Sequence, residues 1–152
     1  MPWILYLTPI GWIALYLSVV SFVHETGHFV VGYLTGHKIT KFKVGLREPV
    51  FKFKIGEIDF EFSGDANGGK VCVDNTNHVS QIGIFLTALA GPFAVLLFGT
   101  GLIFLAIHLR NVLVNMPKLD FIYLIILPTL VVVAYLDGLS GIIGDLRNII
   151  RK

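Results

Sequence analysis

The sequence predicts an α-helical polytopic membrane protein, with about three transmembrane helices and a small membrane-associated β-sheet or hairpin between the first and second. Three observations carry this expectation. Of the 152 residues, 55% are hydrophobic, and the mean hydropathy is +0.77, which makes lipid the expected solvent. Met1 to Val23, Val79 to Ile107 and Phe121 to Leu136 contain no Asp, Glu, Lys or Arg, giving three runs near or above spanning length. Between the first two lies a stretch in which apolar and charged residues alternate strictly, the signature of strand.

The first run lacks a basic start and a small-residue cleavage site and continues mostly apolar to Gly36, so it is expected to be a retained helix over about 8–36. The β segment is expected over 38–75, the second helix over about 80–108 and the third over about 121–145. All belong to a single unit spanning residues 1–152. Ten of the twelve Lys and Arg fall between Lys38 and Lys70 or from Arg147 onward. The positive-inside rule then places the N-terminus outside, with the long loop and C-terminus cytoplasmic. A multi-pass protein of a prokaryotic cell membrane is expected. The net charge of +2 is too small to suggest a nucleic-acid partner. Cys72 is the single cysteine, which excludes an internal disulfide and a zinc site built from cysteines.

Within the β segment, Phe51, Phe53 and Ile55 alternate with lysines, and Ile58, Phe60 and Phe62 alternate with acids. A two-residue turn at Gly56-Glu57 sets Ile55 opposite Ile58, Phe53 opposite Phe60 and Phe51 opposite Phe62. It also sets Lys54 against Asp59 and Lys52 against Glu61, so all five cross-strand pairs are complementary. One face is aromatic, suited to a membrane interface, and the other is a ladder of opposite charges. Lys41 to Val44 and Lys70 to Val73 offer two further short strands.

His24-Glu25-Thr26-Gly27-His28 stands inside the first apolar run. This H-E-x-x-H pattern puts two imidazoles on one helix face, where both can bind one metal ion. Glu25 can reach a water on that metal and act as general base. A carboxylate deep in a spanning helix costs roughly 2.5–3.5 kcal/mol. A structural zinc ion supplies roughly 10–16 kcal/mol of apparent binding energy and would offset it. Catalytic zinc takes three protein ligands and one open position. Asp137, which follows sixteen uncharged residues and precedes Gly138, is the preferred third ligand. Asp145 is its competitor, about 12 Å further along a helix. His37, His78 and His108 are expected to be ordinary solvated histidines at helix ends or in the loop. The same donor set would also hold iron.

His24-Glu25-Thr26-Gly27-His28 in one helix and Leu136-Asp137-Gly138 in another resemble the site-2 protease family of intramembrane zinc metalloproteases. Ala90-Gly91-Pro92-Phe93-Ala94 looks like that family's Ala-Gly-Pro segment, and Gly68-Gly69-Lys70-Val71 like its Gly-Gly-Tyr-Val strand. The matches follow the family's order across almost the whole chain. The resemblance implies one Zn2+ held by His24, His28 and Asp137, with Glu25 as catalytic base. The implied substrate is a transmembrane or membrane-proximal segment of another membrane protein. An extended substrate could add to a strand edge, which assigns Lys70, Val71, Cys72 and Val73 to substrate binding. The family often has Asn shortly after Gly-Pro, where Val95 stands, and an Asn with prolines before Leu-Asp-Gly, where Val131 to Tyr135 stand. No length is left for a PDZ-like domain, so a minimal core is expected to rely on itself or on a regulatory membrane partner. Two alternatives stay open: a catalytically silent relative that binds membrane proteins or metal, and a metal-ion carrier.

Overall fold

A computed structural model describes residues 3–64, 68–74, 79–113, 136 and 141–143. In chain order these form α1 (Trp3–Leu34), β1 (Lys38–Val44), β2 (Pro49–Ile55), β3 (Ile58–Ser63), β4 (Gly69–Asp74) and α2 (Gln81–Leu113). This corrects the expected mostly helical polytopic architecture. The described residues build two long helices and, within the β segment expected over 38–75, a four-stranded mixed sheet. Among them one stretch, Gln81–Leu105, is long and apolar enough to cross a membrane. The error has a physical cause: a charge-free run is a composition, and a helix crosses a membrane only if its apolar stretch is also long and unbroken enough, which among the described residues one stretch of α2 is. Of the third expected helix, only Leu136 and residues 141–143 are described.

Helix ends are set by local chemistry. At the end of α1, Gly36 adopts φ 84°, the left-handed conformation that glycine takes without strain. The Gly36 amide then donates to the Tyr33 carbonyl at 3.2 Å and the His37 amide to Gly32 at 2.9 Å, the two bonds of a Schellman cap. At the start of α2, Ser80 Oγ accepts the Gly83 amide at 3.0 Å, an N-cap that satisfies one of the orphan donors of the first turn.

The two helices pack through Tyr16, Val20 and Val95, with Val23, Phe98 and Leu102 around them. Val95 is fully buried. The closest approach is at Gly27, where a Cβ would collide with the Ala90 carbonyl and Ala94. Helices without a bulky residue at the crossing can bring their backbones together in this way.

The sheet runs in the order β2-β3-β1-β4, with β1 parallel to β3 and antiparallel to β4. The β2–β3 hairpin has the register that the alternation predicts. Ile55 faces Ile58, Phe53 faces Phe60, Phe51 faces Phe62, Lys54 faces Asp59 and Lys52 faces Glu61. Gly56 opens the turn at φ 61°, as a tight hairpin requires. The ion pairs follow the register only in part. Lys54 meets Asp59 at 3.6 Å, but Glu61 binds Lys41 of the neighbouring β1 at 2.9 Å.

The aromatic face is divided between protein and surroundings. Its inner part rests on α1: the buried Phe42 ring meets Phe22 and Phe29 edge-on, with centroids 6.0 and 5.6 Å apart. Phe60 and Phe62 complete this contact with the same two rings. Its outer part overhangs the helix, leaving Val50, Phe51 and Ile55 exposed. The expected interfacial face is therefore split, with its centre serving as core.

Candidate metal centre and its strand edge

His24, Glu25 and His28 lie in the second half of α1, where the i, i+4 spacing brings both imidazoles onto the side facing α2. Their Nε2 atoms are 3.1 Å apart, and the rings stand nearly edge to face, with centroids 4.8 Å apart. His28 Nδ1 donates to the Thr87 carbonyl of α2 at 2.7 Å. A carbonyl can only accept, so the proton of neutral His28 is on Nδ1 and its Nε2 presents a bare lone pair. Two Zn–N bonds of about 2.0–2.1 Å at a tetrahedral angle separate their nitrogens by about 3.3 Å. The observed pair fits one metal ion, and the Thr87 carbonyl is placed as the outer partner that would fix a ligating imidazole.

The third expected ligand, Asp137, lies outside the described residues, as does its competitor Asp145. Among the described residues, no group of three or more His, Cys, Asp or Glu side chains converges. Gly141 is described, and a Cβ there would lie 3.0 Å from His24 Cε1 and 3.2 Å from Pro92 Cγ. Gly141 thus lies beside His24. Gly141 is four residues from both acids in the sequence, so its place does not choose between them.

Glu25 is buried, with 7% of its surface exposed. It occupies the junction of α1 and β4, where a Cβ on Gly69 would collide with the Glu25 side chain and the Lys43 carbonyl. The Gly68 amide donates to Ser21 Oγ of α1 at 3.2 Å, holding the entry of β4 to the helix. The carboxylate therefore sits where an edge strand begins. Lys70, Val71, Cys72 and Val73 form that strand, paired on one side with Lys43, Phe42, Lys41 and Ile39 of β1. β4 is the last strand in the order on this side of the sheet.

Several features of the site were not anticipated. His37, expected to be solvated, is buried, and its Nδ1 lies 2.9 Å from Thr35 Oγ1. Thr35 in turn contacts Thr87 Oγ1 at 3.1 Å, which ties the end of α1 to the turn of α2 that serves His28. The Thr87 carbonyl carries no sequence signal, because every residue has one. His108 is exposed, as expected, and His78 lies outside the described residues. Val95, where Asn often stands in the resembled family, fills the core between the helices.

A buried carboxylate beside two convergent imidazoles on one helix defines the class: a metallopeptidase-type centre of the H-E-x-x-H kind. The profile of peptidase family M50 matches residues 12–148, and the chain belongs to this family, the site-2 proteases. Two curated relatives share 32% identity with it. One, over 65 residues, is described as "Putative zinc metalloprotease" from Borreliella burgdorferi. The other, over 66 residues, carries the same description in Synechocystis sp.. Each alignment covers 43% of this chain, and 15% and 18% of the respective relative, so the chain spans a small part of those longer proteins. The family is one of membrane zinc metalloproteases, which agrees with the helical stretch of membrane-crossing length in α2.

Proposed function

We propose that this chain is a zinc-dependent protease core that hydrolyses peptide bonds in or near the membrane-spanning segments of other membrane proteins. One observation supports the reading above others: the His24 and His28 Nε2 atoms converge beside the buried Glu25, whose side chain lies against Gly69 at the start of β4. His24, His28 and Asp137 would hold a single zinc ion, with Asp137 preferred through the Leu136-Asp137-Gly138 match. The family's setting supports a prokaryotic cell membrane with the sheet on its cytoplasmic side, where Lys38 to Lys70 concentrate seven of the Lys and Arg residues. Recruitment would fall to the core or to a regulatory membrane partner.

Zinc bound there would acidify a water and polarise the scissile carbonyl. Glu25 would take a proton from the attacking water as its oxygen bonds to the scissile carbonyl carbon, and give it to the amine nitrogen as the C–N bond breaks, so one carboxylate would serve as base and then as acid. His28 keeps its Nδ1 proton on the Thr87 carbonyl throughout, which holds the ring and leaves Nε2 for the metal. A helical substrate hides its carbonyls in its own hydrogen bonds, so the scissile segment must be extended. The outward backbone groups of Lys70 to Val73 can hold such a segment as an added strand. Main-chain contacts leave side-chain specificity loose. The start of β4 at Gly69 brings that strand to Glu25.

The test is metal analysis and cleavage of a membrane-protein substrate by the full chain in detergent micelles, comparing wild type with Glu25→Gln. Cleavage should fall by at least about 10²–10⁴-fold, the usual worth of a general base, while zinc remains bound. His24→Ala, His28→Ala and Asp137→Ala should each lose metal, and Asp145→Ala should keep it. Full activity of Glu25→Gln would refute the mechanism. Zinc binding with no cleavage by the wild type would establish the catalytically silent reading.

A further inference from the structure

The Ala90-Gly91-Pro92 segment lies in the middle of α2 on the side that meets the histidines, and the mechanism above gives its side chains no task. Gly91 is the backbone against which the His28 imidazole rests: a Cβ there would overlap the ring atoms Nε2, Cδ2 and Cε1. Pro92 is inside the helix and fully buried, and its ring lies beside Gly141, which also neighbours His24. A proline in a helix interior costs about 3 kcal/mol, because it lacks the N–H for the carbonyl four residues back and its ring crowds that carbonyl. Here that carbonyl belongs to Ala88. The adjacent carbonyl, Thr87, accepts His28 Nδ1 at 2.7 Å.

We propose that Gly91 and Pro92 are positioning residues for the metal ligand His28: Gly91 vacates the space its ring occupies, and Pro92 loosens the α2 hydrogen-bond ladder so that the Thr87 carbonyl turns to its Nδ1–H. The cost of a proline inside a helix is met by a gain in ligand order. An outer partner of this kind typically contributes 10–100-fold in metal affinity. The inference rests on the metalloprotease reading above and assigns work to two residues that make no bond to metal or substrate.

The experiment uses the full chain in detergent micelles, with zinc affinity measured by competition against a chromophoric chelator. The visible spectrum of the cobalt(II)-loaded protein and the unfolding midpoint in excess chelator are recorded beside it. Pro92→Ala should weaken zinc by about 10–100-fold and alter the cobalt spectrum while leaving the metal-free midpoint near wild type. Gly91→Ala should weaken zinc further. Phe93→Ala, an exposed neighbour on the same helix, should bind zinc as wild type does. If Gly91→Ala fails to fold, Pro92→Ala carries the test alone. Wild-type affinity and spectrum in Pro92→Ala would overturn the positioning role and leave the protease reading standing. A lowered metal-free midpoint with unchanged zinc affinity would likewise overturn it, by showing Pro92 to be a packing residue only. Failure of the wild type itself to bind zinc would overturn the metalloprotease reading, and this inference with it.

Discussion

The two edges of the sheet differ in what they touch. β4 begins against the carboxylate of Glu25 and is held to α1 through Ser21, whereas β2 overhangs the helix and leaves Val50, Phe51 and Ile55 exposed. Both strands are paired on one side, to β1 and β3 respectively. An unpaired edge invites a further strand wherever it occurs, so edge geometry alone does not select a docking site. Proximity to Glu25, the proposed general base, does. The contrast teaches that β4 is the edge with chemistry beside it, and that β2 is the edge whose aromatic side chains face outward.

The largest effect expected from this contrast is at Gly69. A methyl group there must displace Glu25 or the β1 backbone at Lys43, and misplacing a catalytic group by about 1 Å can cost 10²-fold. Gly69→Ala should therefore lower kcat by about 10²-fold while zinc affinity changes little, because neither histidine touches the position. A double-variant cycle with Glu25→Gln isolates the route. If the harm passes through Glu25, adding Gly69→Ala to Glu25→Gln should change the residual rate very little. Full additivity would show that the strand is disturbed independently of the base.

An intermediate effect distinguishes the edges themselves. Val71 and Val73 are two apart and direct their amides to the same side of β4, the outward side in this reading, so Val71→Pro or Val73→Pro deletes one donor there. A hydrogen bond is worth about 0.5–1.5 kcal/mol net, so kcat/KM should fall about two- to tenfold with normal zinc stoichiometry. Lys52→Pro or Phe53→Pro on β2 should leave cleavage of the same substrate unchanged. If the β2 prolines impair cleavage and both β4 prolines do not, the docking edge has been assigned to the wrong side of the sheet.

The ease with which these parts could be read from sequence follows the range of the interactions involved. The β2–β3 register was legible because period-two alternation and a glycine-led turn are local, and a slip by one residue would invert the faces. The H-E-x-x-H pair was legible because helical spacing alone places both imidazoles. The parallel pairing of β1 with β3, which puts β4 on the outside, joins residues about eighteen apart and leaves no periodic trace. The burial of His37 depends on Thr35 and on α2 packing, which its neighbours in sequence do not reveal. The Thr87 carbonyl is a main-chain group and has no residue type to recognise. The expected helical polytopic fold failed where hydropathy was asked to do the work of topology: the charge-free runs and the extent of the β segment were visible, and the mixed pairing order of its four strands was not.

The smallest expected effect concerns the seam between the two halves of the sheet, where Lys41 of β1 binds Glu61 of β3 at 2.9 Å. The Lys41 ammonium donates to the Glu61 carboxylate, and that hydrogen bond, aided by the attraction of the charges, holds the carboxyl below its ordinary range and raises the lysine above its own. Glu61 therefore contributes stability that is present above its unfolded pKa of about 4.3 and lost as pH falls through its lower folded value. Lys41 contributes stability that is present below its unfolded pKa of about 10.4 and lost as pH rises through its higher folded value. Between these limits the contribution is constant, and at a partly exposed pair it is modest. Hydrogen-exchange protection of the β1 and β3 amides, taken as a ratio of wild type to Lys41→Met at each pH, cancels the intrinsic dependence of exchange. That ratio should exceed one by a small and constant factor from about pH 5 to 9 and shrink toward one as Glu61 becomes protonated. Cleavage at neutral pH should hardly change, because the pair lies away from Glu25 and the outer side of β4. A ratio that persists unchanged below the folded pKa of Glu61 would show that the lysine's methylene stem, rather than its charge, joins the two halves.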